Sequence, residues 1–209
     1  FDASTELYPF TIQNLMWILF SVGMGELFLR WQIAQREHSF LKQAYLPEDQ
    51  QSVLQPSDLP NIRKRVTKQN DGEHGFLPSL IDLCILQFQA SRSVDQTVVV
   101  LNSQLELMEH RLELRYSVIR YIIWVIPTVG FIGTVVGIAN TLSIVDPAAP
   151  DLQALTTSLG LAFNTTLVSL ILSAVLVLFQ HIAQGHEETS LNKSGHYTLV
   201  NLINRLFAQ

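Results

Sequence analysis

Two apolar stretches decide the fold of this chain. Residues 121–145 read YIIWVIPTVGFIGTVVGIANTLSIV, and residues 152–185 read LQALTTSLGLAFNTTLVSLILSAVLVLFQHIAQG. Neither stretch contains Lys, Arg, Asp or Glu, and each exceeds the roughly 20 residues that a helix needs to cross a hydrocarbon core of about 30 Å. They predict two transmembrane helices joined by a short turn at residues 146–151.

A third stretch, residues 7–25, is also uncharged. No basic residue precedes it and no small-residue cleavage pattern follows it, so we interpret it as a retained helix rather than a signal peptide. The whole chain is 48% hydrophobic over 209 residues, which is too apolar for an ordinary soluble domain. We therefore predict an all-α integral membrane protein with three transmembrane helices. The first residue is Phe1 rather than Met, which leaves open whether residues precede it.

The positive charges predict the orientation. All 13 Lys and Arg residues fall on one side of the three expected spans, because none precedes the first span and none lies in the 146–151 turn. The positive-inside rule makes that side the cytoplasm. We therefore expect the N-terminus and the turn to lie outside, with the C-terminus inside.

The expected organisation has five parts. They are a first transmembrane helix at 1–31, a cytoplasmic helix and loop at 32–78, a long helix at 79–145 that runs from the cytoplasm through the second span, the outer turn at 146–151, and a third span with a cytoplasmic helical tail at 152–209. No Gly or Pro lies between Ser79 and Ile126, so the long helix is expected to be unbroken. Its cytoplasmic part carries an apolar stripe, which predicts association with further copies of the chain.

Small residues mark the faces on which the second and third spans should pack. In lipid, helices associate through close packing rather than through the hydrophobic effect, and small side chains allow their backbones to approach. The predicted packing positions are Gly130, Gly133, Gly137 and Ala162.

Hydroxyl side chains recur at helical spacing beside those faces. They bond to carbonyls of their own helix and ease packing, or they line a polar path for an ion; both interpretations stay open. The spans contain no Asp, Glu, Lys or Arg, so a proton path would need an acid from another polypeptide. The candidate ion-pathway residues are Thr134, Thr141, Thr165, Thr166, Ser169 and Ser173.

The remaining charged and nucleophilic residues do not indicate a catalytic or metal site. Glu26 and Arg30 stand four residues apart at the inner end of the first span, where we expect an interfacial charge pair. The only cysteine, Cys84, is expected to act as a small apolar side chain. We therefore expect no enzyme activity, no cofactor, no metal and no nucleic-acid partner.

The two apolar stretches also resemble a known family. The segment IPTVGFIGTVVGI, residues 126–138, resembles the second-span signature of the MotA/TolQ/ExbB proton-channel family, in which a Pro precedes a Gly-x-x-Gly-Thr-x-x-Gly run. The segment AFNTTLVSL, residues 162–170, resembles the third-span pattern of that family. Three spans with a long insertion after the first are similar to TolQ and ExbB rather than to four-span MotA.

The resemblance implies a pentameric ring in the bacterial inner membrane. It would enclose the single transmembrane helices of two ExbD-, TolR- or MotB-like partners, whose membrane Asp alternates its protonation against Thr residues of the ring. Thr134 matches the second-span Thr of the family, and Thr166 the third-span Thr, with Thr165 matching if the alignment slips by one position.

Alternatives remain beside this proton-driven motor subunit. Ser169 stands where the family more often has Gly, which leaves open a sodium-driven branch or an anti-phage branch of the ZorA type. A non-conducting membrane scaffold, in which the hydroxyl residues only mediate packing, is the alternative from a different functional class.

Overall fold

A computed structural model of the chain describes residues 11–43, 45–47, 54–68, 75–143, 145 and 151–206. Within those residues the regular secondary structure is helical, apart from one isolated parallel β-bridge between Leu54 and Leu206. The elements are α1 (Ile12–Leu41), α2 (Leu59–Lys68), α3 (Phe76–Ser91), α4 (Val94–Ser143), α5 (Leu152–Asn201) and a 3₁₀ turn (Ile203–Arg205).

Three helices, α1, α4 and α5, are long and apolar enough to cross a membrane. This confirms the prediction of an all-helical membrane protein with three apolar helices. Parts of the expected features lie outside the described residues, including the first ten residues of the first transmembrane helix, residues 48–53 and 69–74 of the cytoplasmic loop, and residues 146–150 of the outer turn.

The expectation of an unbroken helix over residues 79–145 is wrong. Helix α3 ends at Ser91 and α4 begins at Val94. Between them, Arg92 adopts a left-handed conformation with φ of 52°. The Ser93 hydroxyl accepts the Gln96 N–H at 3.3 Å, as a helix N-cap does. A Ser followed three residues later by Gln is the capping-box pattern, so this helix start has a sequence signal that needs neither Gly nor Pro.

The chain forms two compact units. Unit 1 comprises residues 1–29 and 116–182, and unit 2 comprises residues 30–115 and 183–209. Helices α1, α4 and α5 each contribute residues to both units, whereas α2 and α3 belong to unit 2.

Unit 2 has a hydrophobic core. Cys84 is fully buried in it, and burial raises the pKa of its thiol to about 12. The thiol is therefore neutral at physiological pH, as expected for a cysteine that acts as a small apolar residue. The buried core residues are Phe40, Tyr45, Leu46, Leu54, Leu59, Val66, Leu77, Leu80, Ile81, Cys84, Ile85, Phe88, Leu101, Leu202, Ile203 and Leu206.

In unit 1, glycines of α4 lie directly against α5. A Cβ atom added to Gly137 would lie 2.7 Å from the Ala162 Cβ, and one added to Gly130 would collide with the Ser169 side chain. Real Cβ atoms do not approach this closely, so only a hydrogen fits at these α4 positions. The two backbones therefore approach each other more closely than larger side chains would allow.

Helix α1 contacts the same pair of helices. A Cβ on Gly133 of α4 would lie 3.0 Å from the Ile12 side chain of α1 and 3.1 Å from the Thr165 hydroxyl of α5. A Cβ on Gly23 of α1 would lie 3.2 Å from the Leu176 side chain. The three apolar helices of unit 1 thus meet at small residues.

Pro127 lies inside α4 and removes one hydrogen bond of that helix. Proline has no N–H, so the carbonyl of Ile123, four residues earlier, loses its partner within the helix. The Ser173 hydroxyl of α5 donates to this carbonyl at 3.0 Å. Because hydrocarbon offers no other partner, Ser173 satisfies a polar group that would otherwise be costly.

This pairing predicts that Ser173 and Pro127 are energetically coupled. Ser173→Ala should lower the free energy of unfolding by about 1 kcal/mol, because it leaves the Ile123 carbonyl without a partner. In a Pro127→Ala background the same change should cost clearly less, because alanine at this position supplies the missing N–H. The measurement is a double-mutant cycle on the full chain unfolded reversibly in micelles.

Ser169→Ala is the matched control for this cycle. The Ser169 hydroxyl donates within its own helix, to the Thr166 carbonyl at 2.8 Å, so its cost should not depend on the residue at position 127. An equal cost of Ser173→Ala in both backgrounds would contradict the assignment.

The break between α3 and α4 predicts a stabilising substitution. Arg92 is exposed, and its N–H bonds to the Phe88 carbonyl at 2.8 Å in a left-handed conformation that Gly adopts without steric cost. Arg92→Gly should therefore raise the free energy of unfolding by up to about 1 kcal/mol. Arg92→Ala, which removes the guanidinium and keeps the steric cost, should not stabilise the chain. Thermal unfolding of the three proteins measures the difference, and an Ala variant as stable as the Gly variant would refute the explanation.

Candidate functional site

Three threonine hydroxyls come together in unit 1, where α4 faces α5. Thr134 of α4 is buried, with 7% of its surface exposed, whereas Thr165 and Thr166 of α5 are half-buried. The Thr134 hydroxyl is hydrogen-bonded to that of Thr166 and lies 3.4 Å from that of Thr165. We refer to these three side chains as the threonine cluster.

Two main-chain carbonyls complete the threonine cluster. The Gly130 oxygen lies 3.1 Å from the Thr166 hydroxyl and 3.3 Å from each of the other two. The Ala162 oxygen lies 2.9 Å from the Thr134 hydroxyl and 2.7 Å from that of Thr165. Five oxygens, three from hydroxyls and two from carbonyls, are therefore packed together between two apolar helices.

The number of protons in the threonine cluster is smaller than its number of acceptors. Each hydroxyl carries one proton and two lone pairs, and each carbonyl adds acceptor capacity of its own. The three protons can be distributed over the two carbonyls and the neighbouring hydroxyls in more than one way. The cluster can therefore accept a hydrogen bond from an additional donor, such as a protonated carboxyl group or a water molecule.

The other three candidate ion-pathway residues bond to main-chain carbonyls. Thr141 donates to the Gly137 carbonyl at 2.8 Å, one turn back in α4. Ser169 donates within α5, and Ser173 donates to the carbonyl freed by Pro127. The structure thus brings Thr134, Thr165 and Thr166 together and engages the hydroxyls of the other three elsewhere.

The predicted packing residues and charged residues are also located. Gly130, Gly133, Gly137 and Ala162 lie where α4 and α5 approach each other. Glu26 and Arg30 both lie on α1 and are both half-buried, and their pairing stays a prediction.

Asn14, a polar residue in the first apolar stretch, is not among the predicted site residues. Asn14 of α1 is buried, with 5% of its surface exposed, and its main-chain N–H donates to the Thr11 hydroxyl at 3.2 Å. The sequence does contain a signal for Asn14, because an amide side chain within a long uncharged stretch is costly in lipid and normally has a specific role.

The threonine cluster lies in a part of the chain without acids. The stretches at 121–145 and 152–185 contain no Asp or Glu. Among the described residues, no group of three or more His, Cys, Asp or Glu side chains is placed to hold a metal ion. What the cluster offers chemically is therefore neutral hydrogen bonding in an apolar setting.

Comparison with known proteins identifies the family of the chain. A sequence profile of the MotA/TolQ/ExbB proton channel family matches residues 70–194, a segment that includes all of α4 and both Thr134 and Thr166. Among curated proteins and among solved structures, none matches the chain. The match covers more than half of the sequence, including all of α4 and α5 as far as residue 194, and the chain belongs to the MotA/TolQ/ExbB proton channel family.

Proposed function

We propose that this chain is the channel and stator subunit of an ion-driven rotary motor, and that the titrating carboxyl group comes from a partner protein. The observation that carries the proposal is the threonine cluster, which has unused acceptor capacity in two apolar stretches, residues 121–145 and 152–185, that contain no Asp or Glu. The partner would be a single-span protein of the ExbD, TolR or MotB kind with an Asp in its membrane helix.

Hydroxyl groups suit such a site because they respond to both states of a partner carboxyl. A protonated Asp donates a hydrogen bond to a threonine oxygen, and an ionised Asp accepts one from a threonine proton. The threonine stays neutral throughout, so the chain does not bear the cost of burying a charge. Each proton that crosses supplies about 2.3 kcal/mol per 100 mV of membrane potential, which is energy available for mechanical work.

The proposed assembly is a ring of five copies around two partner helices in a bacterial inner membrane. The N-terminus faces the periplasm, and the helical extensions and C-terminus lie in the cytoplasm. Large apolar side chains such as Trp124, Phe131 and Phe163 are exposed on unit 1 of the single chain, which fits contact with lipid or with neighbouring copies.

A non-conducting scaffold is the competing function, and one observation favours it. Thr141 and Ser173 use their hydroxyls to satisfy carbonyls, as packing residues do. In a scaffold the threonine cluster would serve the same purpose, so removing its hydroxyls would weaken the assembly rather than stop ion flow.

The threonine cluster gives the first test. Thr134→Val and Thr166→Val keep the side-chain volume and remove the hydroxyl, so each should leave the oligomer intact and lower ion-driven activity. A hydrogen bond worth about 1–2 kcal/mol in lipid corresponds to roughly a tenfold change in a rate, which is the expected size of the loss. The measurements are ion flux in proteoliposomes that contain the partner and the size of the purified oligomer.

Thr128→Val is the matched control for these two variants. Thr128 lies on the same helix as Thr134, and its hydroxyl donates to the Trp124 carbonyl at 2.9 Å, away from the threonine cluster. This control should retain full flux. Full flux in both cluster variants would disprove the ion-pathway assignment, and dissociation of their oligomers would favour the scaffold.

The composition of the native complex gives the second test. Native mass spectrometry of the complex extracted from membranes should detect five copies of this chain with two copies of a single-span protein that has an Asp in its span. Activity that persists without sodium and stops with a protonophore identifies the ion as the proton. An isolated ring that binds no such partner would contradict the proposal.

A further inference from the structure

Unit 2 contains two carboxyl groups in contact with its interior, outside the uncharged stretches of the chain. Glu187 of α5 is fully buried, and its Oε1 atom lies 3.6 Å from the guanidinium of Arg115 on α4. Glu37 of α1 is half-buried, and its charge interacts with that of Glu187. Two acids thus lie near Arg115, in a part of the protein that has no role in the proposed ion pathway.

Glu37 lies at the contact between α1 and α3. Its Oε2 atom accepts the N–H of Phe76, the first residue of α3, at 2.8 Å. The preceding residue, Gly75, provides no side-chain cap, and a Cβ atom added to it would lie 2.6 Å from the ring of Phe40 on α1. Glu37 therefore takes the place of the missing cap at a point where α3 is packed tightly on α1.

The surroundings favour the protonated form of Glu37. Burial is the largest cause, and with the facing Glu187 charge it raises the pKa of Glu37 from 4.5 to about 7. The Phe76 N–H, Arg36 on α1 and Arg115 on α4 act in the opposite direction. The net effect places the exchange of this proton near physiological pH.

A buried hydroxyl lies within electrostatic range of Glu37. Tyr45 is 1% exposed, and its hydroxyl has no hydrogen-bond partner among the residues that the structure describes. Burial and the Glu37 charge both raise the pKa of Tyr45, so this O–H stays protonated. His186, next to Glu187 along α5, packs edge-on against Trp31 of α1 at 5.2 Å between ring centroids. A buried donor without a partner beside a carboxyl group marks a polar site with unused hydrogen-bonding capacity.

We propose that Glu37 and Glu187, with Arg115 as their shared counter-charge, form a proton-binding site that links pH to the α1–α3 contact. The site binds one exchangeable proton while α3 is packed on α1. Loss of the proton adds a second negative charge beside that of Glu187 at a partly buried position, and this weakens the contact. This site is separate from the threonine cluster and does not depend on ion conduction.

The direction of the pH effect follows from linkage. Opening of the α1–α3 contact exposes Glu37 to water and returns its pKa toward 4.5, so the closed contact binds the proton more tightly. The stabilisation of the closed contact is fully present below pH 4.5. It is lost as the pH rises through about 7, which makes alkaline conditions favour opening.

Infrared difference spectroscopy of the full chain in nanodiscs tests the site directly. Spectra recorded on either side of pH 7 should contain a protonated-carboxyl band that titrates near neutrality in the wild type. The band should be absent in Glu37→Gln and present in Glu106→Gln, a control that removes an exposed acid from α4 of the same unit. In Glu187→Gln the band should titrate at lower pH, because the facing negative charge is gone.

Hydrogen exchange reports the consequence for α3. After correction for intrinsic exchange rates, protection of the first turn of α3 should fall several-fold in the wild type and in Glu106→Gln as the pH rises through 7. In Glu37→Gln the protection of this turn should not change over the same pH interval. That result would also assign the pH dependence to Glu37 rather than to His186. A band or a protection profile that is the same in Glu37→Gln and wild type would overturn the proposal, even if Glu187→Gln fails to fold.

Discussion

Two carbonyl oxygens of α4, those of Ile123 and Gly130, accept hydrogen bonds from hydroxyl side chains of α5. In an apolar environment a main-chain carbonyl must find its partner within the protein. Pro127 leaves the Ile123 carbonyl without its helical partner, and Ser173 supplies one. Two turns further along α4, the missing side chain at Gly130 lets α5 approach until threonine hydroxyls reach the Gly130 carbonyl. The same glycine thus permits close packing and exposes the acceptor around which the threonine cluster forms.

The membrane-length helices were predictable because their signal is simple. A run of 25 uncharged residues at 121–145 has few alternatives to a membrane helix, and the positions of Pro and Gly within it carried the family resemblance. The end of α3 was not predicted, because no Gly or Pro between Ser79 and Ile126 marks it. Ser93 and Gln96 form a cap that starts a new helix. Exposed Arg92 adopts the left-handed conformation that glycine usually adopts at the end of a helix.

The candidate site was only partly predictable for a geometric reason. Helical spacing places Thr166, Ser169 and Ser173 on one face of α5, so periodicity alone treats them as equivalent. Their different surroundings come from α4, which offers the Gly130 carbonyl to Thr166 and the Ile123 carbonyl to Ser173. Which hydroxyls converge therefore depends on the register between two helices, which a single sequence does not contain. The electrostatic interaction between Glu37 and Glu187 could not be predicted for the same reason, because the two residues are far apart along the chain.

The two units treat ionisable groups in opposite ways, and solvation explains why. In unit 1 an acid without a counter-charge would be costly, whereas a hydroxyl keeps its proton and can be satisfied by a carbonyl one turn away. Unit 2 can hold Glu187 because Arg115 is within 3.6 Å and because Glu37 can take up a proton instead of adding a second charge. Stabilisation of unit 1 by neutral hydrogen bonds is insensitive to pH, whereas unit 2 contains a carboxyl group whose pKa is raised to about 7. At the proposed proton-binding site, a change in proton concentration would act on the packing of α3 and leave the neutral hydroxyl groups of the threonine cluster unchanged.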